Sequence, residues 1–124
     1  MVDDDQFFRT FVRACLEDLG HKVVEASDGN HGLGQCAQWR PDLIMSDLLM
    51  PNKDGLDFIR EVRRYQPNLK VIAMSIGYTQ DDGECLDLAL KAGAEAAICK
   101  PFSIDQLHRA IQAVMHLNDA ASES

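Results

Sequence analysis

The chain has 124 residues, a length typical of one domain, and 46% of them are hydrophobic and 26% charged, as in ordinary globular proteins. Twelve Lys and Arg against twenty Asp and Glu give a formal net charge of −8, which argues against nucleic acid or an anionic membrane as a direct partner. Apolar runs are too short to span a bilayer and the acidic start does not fit a signal peptide, so we expect a soluble, cytoplasmic protein.

Helices and strands alternate in the pattern of hydrophobic residues. Apolar residues at three- and four-residue steps predict helices over about 7–19, 28–39, 54–65, 79–92 and 103–117. Short apolar runs predict strands over 22–26, 42–47, 69–75 and 95–99. The helical faces predict core positions at Phe7, Phe8, Phe11, Val12, Cys15, Leu16, Leu19, Leu33, Cys36, Ala37, Phe58, Ile59, Val62, Tyr65, Ile104, Leu107, Ile111 and Val114.

This alternation predicts a parallel sheet covered by helices on both faces, that is, a doubly wound three-layer α/β sandwich. We assign residues 1–118 to this domain and residues 119–124 to a polar, disordered tail. A first strand has to precede Asp3, and Met1 and Val2 are the residues left to form it. We therefore expect the first strand to be short or truncated.

The cysteines do not indicate a metal site or a disulfide framework. They are widely spaced, with no close pair, and the four histidines show no ligand spacing either. Each cysteine falls within an apolar pattern, so we expect packed thiols at Cys15, Cys36, Cys85 and Cys99.

Charged and polar side chains stand where four of the predicted strands end. In open parallel sheets, ligands bind beyond the carboxyl ends of the strands, so these side chains should meet at one edge. The set comprises three or more carboxylates, a hydroxyl and an ammonium, supplied by Asp3, Asp4, Asp5, Asp47, Ser75 and Lys100.

Crowded carboxylates repel one another unless a cation lies among them. Mg²⁺ (or Mn²⁺) is the expected resident, because it is bound by a few carboxylates and keeps positions open for phosphate oxygens. One carboxylate can then attack a phosphoryl group and become an aspartyl phosphate. Lys100 and the Ser75 hydroxyl are suited to bind other phosphoryl oxygens.

The chain closely resembles the receiver domain of two-component response regulators, especially the small stand-alone type. The resemblance covers nearly the whole chain, in order and with the right gaps. It implies a flavodoxin-like fold with a five-stranded sheet of order 2-1-3-4-5. The matching segments are Val2-Asp3-Asp4-Asp5, residues 41–51, Asp54-Gly55, Lys91-Ala92-Gly93-Ala94 and Lys100-Pro101-Phe102.

The resemblance also assigns an acceptor and a metal site. It makes Asp47 the phosphoacceptor and a member of the metal site. Asp4 matches the direct metal ligand, and Asp3 matches the acidic residue that reaches the metal through water. Leu49 matches the position whose backbone carbonyl binds the metal.

Two further positions match residues that the family uses for phosphoryl binding and switching, and two others depart from the family pattern. Ser75 matches the switch hydroxyl, and Lys100 matches the invariant lysine, whose bond to Pro101 the resemblance implies to be cis. Ala97 stands where the family often has a rotating aromatic residue, and Ile76 stands where a small residue is usual. Aromatic signalling through position 97 is therefore not expected.

The expected phosphodonor is a histidine kinase or a phosphotransfer protein, and the expected output is binding to a downstream protein that the sequence does not identify. Beyond its own phosphorylation and slow dephosphorylation, we expect no enzymatic activity. One alternative is a phosphorylation-independent interaction module. The intact set of Asp4, Asp47, Ser75 and Lys100 argues against it, whereas the short first strand and Ala97 keep it open. Another is an aspartate-nucleophile phosphohydrolase, but such enzymes commonly carry a second Asp where this chain has Leu49.

Overall fold

The computed structural model of the chain describes residues 1–48, 55–76, 87, 90–100 and 102–123; for residues 75, 76 and 116–123 it describes the backbone alone. Within this part, helices and strands alternate much as predicted. No helix among these residues is long and apolar enough to cross a membrane. The elements are α1 (Gln6–Asp18), α2 (Gly29–Trp39), β1 (Leu43–Asp47), α3 (Gly55–Tyr65), β2 (Lys70–Ile76), β3 (Ala96–Lys100) and α4 (Ile104–Glu123).

The sheet is parallel, with β2 between β1 and β3. On the free side of β1, Val2 forms parallel bridges to both Ser46 and Ala26. The order across the sheet is therefore the segment at Ala26, then Val2, β1, β2 and β3. This is the predicted order 2-1-3-4-5, and the right-handed crossovers between parallel strands make the fold the doubly wound, flavodoxin-like sandwich.

The first two predicted strands are reduced to single bridges. Val2 N–H donates to the Met45 carbonyl at 2.7 Å, and Asp3 N–H donates to the Ala26 carbonyl at 3.1 Å. The first strand is short, as expected, but residues 22–25 do not form the regular strand predicted for 22–26. A strand needs a paired neighbour along its length, and the pairing beside this segment stops at Met1.

Two apolar layers cover the two faces of the sheet. Alternate residues of β2 point to opposite faces, so Val71 packs in one layer and Ile72 in the other, and both are fully buried. One layer includes Phe58 and Ile59 of α3, with Cys36, Ile44 and Val62. The other layer joins α1 and α4 to the sheet through Val12, Leu16, Met45, Met74, Leu107, Ile111 and Val114.

The helix ends follow local capping chemistry. The Asp5 carboxylate accepts a hydrogen bond from Phe8 N–H at 3.1 Å at the start of α1. Gly20, just beyond the end of α1, has φ +94°, a conformation that favours glycine. Ser103 and Gln106 form a reciprocal capping box before α4, with hydrogen bonds of 2.8 and 3.1 Å.

Some predicted core positions lie at the surface. Tyr65 is 73% exposed and Ile104 is also exposed, because they are the last residue of α3 and the first of α4, where the helices leave the core. Ala37 on α2 is exposed as well. Phe7, Phe11 and Leu19 were also predicted in the core and are exposed, because the buried face of α1 is narrower than predicted and consists of Val12, Cys15 and Leu16. Cys15 and Cys36 are buried thiols, whereas Cys99 on β3 is exposed, and Cys85 lies outside the described residues.

The C-terminal helix extends further than the sequence predicted. α4 continues to Glu123, so residues 119–123 are helical where a disordered tail was predicted. The Ala120-Ala121 pair favours this extension, since alanine has the highest helix propensity. Most of the helix predicted over 79–92 lies outside the described residues, although residues 90–92 are helical.

Candidate functional site

The predicted acidic residues meet at the carboxyl ends of the strands. Asp3 follows the bridge residue Val2, and Asp47 is the last residue of β1. Asp3 is 0% exposed and Asp47 is 5% exposed, whereas Asp4 is open to solvent. Each offers a carboxylate oxygen, and the three oxygens lie within 4.8 Å of one another. The structure thus brings Asp3, Asp4 and Asp47 together as the sequence predicted, whereas the Asp5 carboxylate caps α1 instead.

Lys100 supplies a positive charge to this cluster from the end of β3. Its Nζ lies 2.6 Å from Asp3 Oδ2 and 3.4 Å from Asp47 Oδ2. The Lys100 side chain is only 17% exposed, so these charges interact with less screening than they would in open water. One ammonium does not neutralise three carboxylates, and the excess negative charge favours a divalent cation bound through oxygen.

The Asp3 carboxylate has both oxygens engaged. Oδ1 accepts a hydrogen bond from Asp5 N–H at 2.9 Å, and Oδ2 accepts one from Lys100. A metal bound directly to Asp3 would have to share these oxygens with the existing donors. The Asp4 carboxylate is exposed and is therefore the more accessible of the two.

Two arginines fix α1 beside the site. The Arg9 guanidinium donates to the Asp3 backbone carbonyl at 2.6 Å and to Glu25 Oε1 at 3.2 Å. Arg13 donates to Glu25 Oε2 at 2.7 Å. The hydrogen bond from Arg13, together with that from Arg9, lowers the pKa of the Glu25 carboxyl against a smaller opposing effect of burial. The network ties the first turns of α1 to the segment that ends at Ala26, next to Asp3.

Gly55 lets α3 begin directly against the end of β1, where Asp47 lies. Its N–H donates to the Leu48 carbonyl at 3.1 Å, and Leu48 N–H donates to Met74 in the neighbouring strand at 3.0 Å. A Cβ atom at Gly55 would lie within 3.0 Å of the Asp47 carbonyl oxygen and of two Leu48 backbone atoms. The close approach therefore requires glycine at this position.

Phe8 is a site residue that the sequence reasoning did not single out. Its ring centre lies 4.2 Å from Lys100 Nζ. The periodicity of α1 places Phe8 on the apolar face, and that reading is also correct, because the ring packs against the core. The signal that could have identified it is its position in the first turn of α1, four residues after Asp4 in the sequence.

Some predicted site residues are described in part or not at all. Ser75 pairs with Cys99, and the next residue, Ile76, pairs with Lys100. The Ser75 backbone therefore lies at the carboxyl edge of the sheet, where the sequence predicted it. Its side chain is outside the described part, as are Leu49 and Pro101. Ala97 pairs with Ala73 and packs against the core.

Comparisons with known proteins agree on one family. The Response regulator receiver domain family matches residues 1–112. The chain is 35% identical over 122 residues to the KDP operon transcriptional regulatory protein KdpE of Escherichia coli, covering 98% of this chain and 52% of KdpE. It is 33% identical over 116 residues to the chemotaxis protein CheY of Halobacterium salinarum, covering 93% of both chains.

Solved structures support the same assignment. The receiver domain of NtrX from Brucella abortus superposes with a TM-score of 0.86 at 28% sequence identity, covering 93% of this chain and 95% of that domain. The chain spans about half the length of KdpE and of the regulator PhoP of Bacillus subtilis, at 52% and 50%.

Proposed function

The chain belongs to the response regulator receiver domain family, and from this we propose that it accepts a phosphoryl group on Asp47 in a Mg²⁺-dependent reaction and then signals by changed protein binding. One observation carries the proposal. The Asp3, Asp4 and Asp47 carboxylates lie within 4.8 Å of one another, and Lys100 Nζ lies 3.4 Å from Asp47. This arrangement combines a nucleophile, oxygen ligands for a hard cation and a positive charge for a phosphoryl oxygen.

In the proposed reaction an Asp47 carboxylate oxygen attacks phosphorus. The new O–P bond forms while the P–N bond to the donor histidine breaks, and the imidazole leaves with the electron pair of that bond. Asp4, Asp47 and the Leu49 carbonyl would hold Mg²⁺, with Asp3 acting through water. The bound ion would offset negative charge on the carboxylates and on the phosphoryl oxygens.

The remaining residues position and neutralise the transferred group. Lys100 already reaches both Asp3 and Asp47, so a small displacement of its ammonium allows it to bind an oxygen of a phosphoryl group on Asp47. The Ser75 hydroxyl is proposed to donate to another phosphoryl oxygen. Because Ala97 has no aromatic ring to rotate, the response of the surface is proposed to run through Ser75 and its neighbouring segment.

Membership in the family implies interaction with histidine kinases or phosphotransfer proteins. We propose such a protein as the donor, a downstream protein as the target and the cytoplasm as the location. We also propose that the chain has no enzymatic activity beyond its own phosphorylation and slow dephosphorylation. The phosphorylation-independent interaction module remains the second candidate, which the Ala97 departure and the short first strand favour.

Intact-mass measurement with acetyl phosphate and Mg²⁺ tests the proposal. We expect one phosphoryl adduct that is lost when the metal is chelated and lost in Asp47→Asn. Asp57→Asn, which changes an exposed carboxylate on α3, should keep the adduct. If the folded protein takes no phosphoryl group from acetyl phosphate or from a phosphorylated phosphotransfer protein, the phosphorylation-independent module is the better reading. Steady release of phosphate over many turnovers would instead indicate the phosphohydrolase.

Mg²⁺ should also stabilise the folded protein, because the bound ion relieves repulsion among the three carboxylates. At about a hundred times the dissociation constant, ligand binding raises the free energy of unfolding by about 2.7 kcal/mol. Urea unfolding with and without Mg²⁺ measures this increase, with NaCl at equal ionic strength as the reference. We expect Asp4→Asn to reduce the increase and Asp57→Asn to leave it unchanged. An equal increase in NaCl would show general screening and no metal site.

A further inference from the structure

The Lys100 ammonium has carboxylates on one side and an aromatic ring on another. Its Nζ lies 2.6 Å from Asp3 Oδ2 and 3.4 Å from Asp47 Oδ2, and 4.2 Å from the centre of the Phe8 ring. A cation within about 6 Å of a ring centre is attracted by the negative potential of the ring face. The contact therefore contributes to where the ammonium rests.

The Phe8 ring is held in place by the core and by a second ring. Phe8 and Phe102 pack edge to face, with ring centres 5.5 Å apart and an interplanar angle of 78°. Both also pack against the apolar layer between the sheet and α1 and α4. By contrast, the preceding residue Phe7 is 89% exposed. Phe8 thus presents a fixed surface to Lys100.

An aromatic ring suits this position better than an aliphatic or a polar side chain. It attracts the ammonium without accepting one of its three N–H groups in a directional hydrogen bond, so these donors stay available for oxygen. A leucine would give an apolar wall without this attraction. A polar side chain would compete with Asp3 and Asp47 for the donors.

The ring contact also tolerates displacement of the cation. A hydrogen bond weakens steeply when its angle changes, whereas the attraction to a ring face varies slowly with lateral movement. The ammonium can therefore turn from Asp3 toward a phosphoryl group on Asp47 while it keeps the ring contact.

We propose that Phe8 is a positioning residue for Lys100: its ring holds the ammonium between Asp3 and Asp47 and keeps its donors directed at the oxygens. The proposal rests on the proposed function, because its benefit is faster phosphoryl transfer to Asp47. Phe8 itself touches no reacting atom, and it acts through Lys100.

Stepwise fluorination of the Phe8 ring tests the proposal at nearly constant size. One, two and three ring fluorines progressively weaken the negative potential of the ring face. We expect the rate of phosphoryl uptake from acetyl phosphate to fall in steps, by about two- to thirtyfold in total, which is the range of a cation–π contact. The same series at the exposed Phe7 should leave the rate unchanged. A side chain that only fills space would give a flat series at Phe8 too.

Urea unfolding of the same proteins without Mg²⁺ gives a readout that does not need phosphorylation. The unfolding equilibrium constant should rise in steps with fluorination, and the steps should disappear in a Lys100→Met background. A flat series in either measurement, or equal steps in Lys100→Met, overturns the proposal. If the unmodified protein takes up no phosphoryl group, the proposed function fails, and the unfolding series still decides whether the ring and the ammonium interact.

Discussion

Gly55→Ala should lower the free energy of unfolding by about 3 kcal/mol, at the upper end of what overpacking costs. The added methyl group would lie within 3.0 Å of backbone atoms of Asp47 and Leu48, which cannot rotate away as a side chain can. The start of α3 would have to move away from the end of β1. Asp47, the proposed phosphoacceptor, is the last residue of that strand. Urea unfolding measures the loss.

Gly34→Ala is the matched control for this substitution. Gly34 lies inside α2, and a Cβ atom there would meet nothing within 4 Å. The same change should therefore raise the free energy of unfolding by about 0.5–1 kcal/mol, because alanine favours helix more than glycine does. If the two variants had equal stability, the close approach at Gly55 would have no energetic importance.

Arg63→Met should lower the free energy of unfolding by about 3 kcal/mol, because it leaves several half-buried acceptors without a donor. The Arg63 guanidinium joins the end of α3 to the segments that lead into β2 and β3. Glu95 in turn accepts a hydrogen bond from Val71 N–H at 2.6 Å, so the loss extends into the sheet. The acceptors of Arg63 are the backbone carbonyls of Pro67, Leu69 and Gly93 and the carboxylate of Glu95.

Arg60→Met on the same helix provides the comparison. Arg60 pairs with Asp57 at 3.3 Å, and both side chains are well exposed, so this substitution should change the free energy of unfolding by less than about 0.5 kcal/mol. Arg63→Lys should recover only part of the loss, since a single ammonium cannot replace the planar fork of donors. Thermal or urea unfolding of Arg63→Met, Arg63→Lys and Arg60→Met measures these differences in stability. Equal losses for Arg60→Met and Arg63→Met would contradict the role given to Arg63.

The layered fold could be predicted because apolar residues recur in regular patterns along the sequence. The continuous apolar run of β2, which is buried on both faces, and the helical faces of α1 and α3 are patterns that the sequence shows directly. Periodicity does not show where a helix leaves the core, so Tyr65 and Ile104 were placed in the core and lie outside it. Residues 22–26 have a strand-like composition, but a strand also depends on a neighbour far away in the sequence.

The sequence could predict those residues of the candidate site that lie at the carboxyl ends of strands. Asp3, Asp47 and Lys100 come together because parallel strands bring their carboxyl ends to one edge. The contact between Phe8 and Lys100 joins the first helix to the last strand of the sheet, and no local pattern encodes it. The four acceptors of Arg63 are likewise mostly backbone carbonyls, which every residue carries.

The bridges of Val2 link the integrity of the acidic cluster to local opening of the sheet. The Val2 carbonyl accepts a hydrogen bond from Asp47 N–H at 2.9 Å, and the next residue along the chain is Asp3, whose N–H is bonded to Ala26. A fluctuation that detaches Val2 therefore loosens the backbone of two of the three carboxylates at once. We therefore expect residues 2, 3 and 47 to open together, so that the carboxylate cluster is assembled only while this pairing holds.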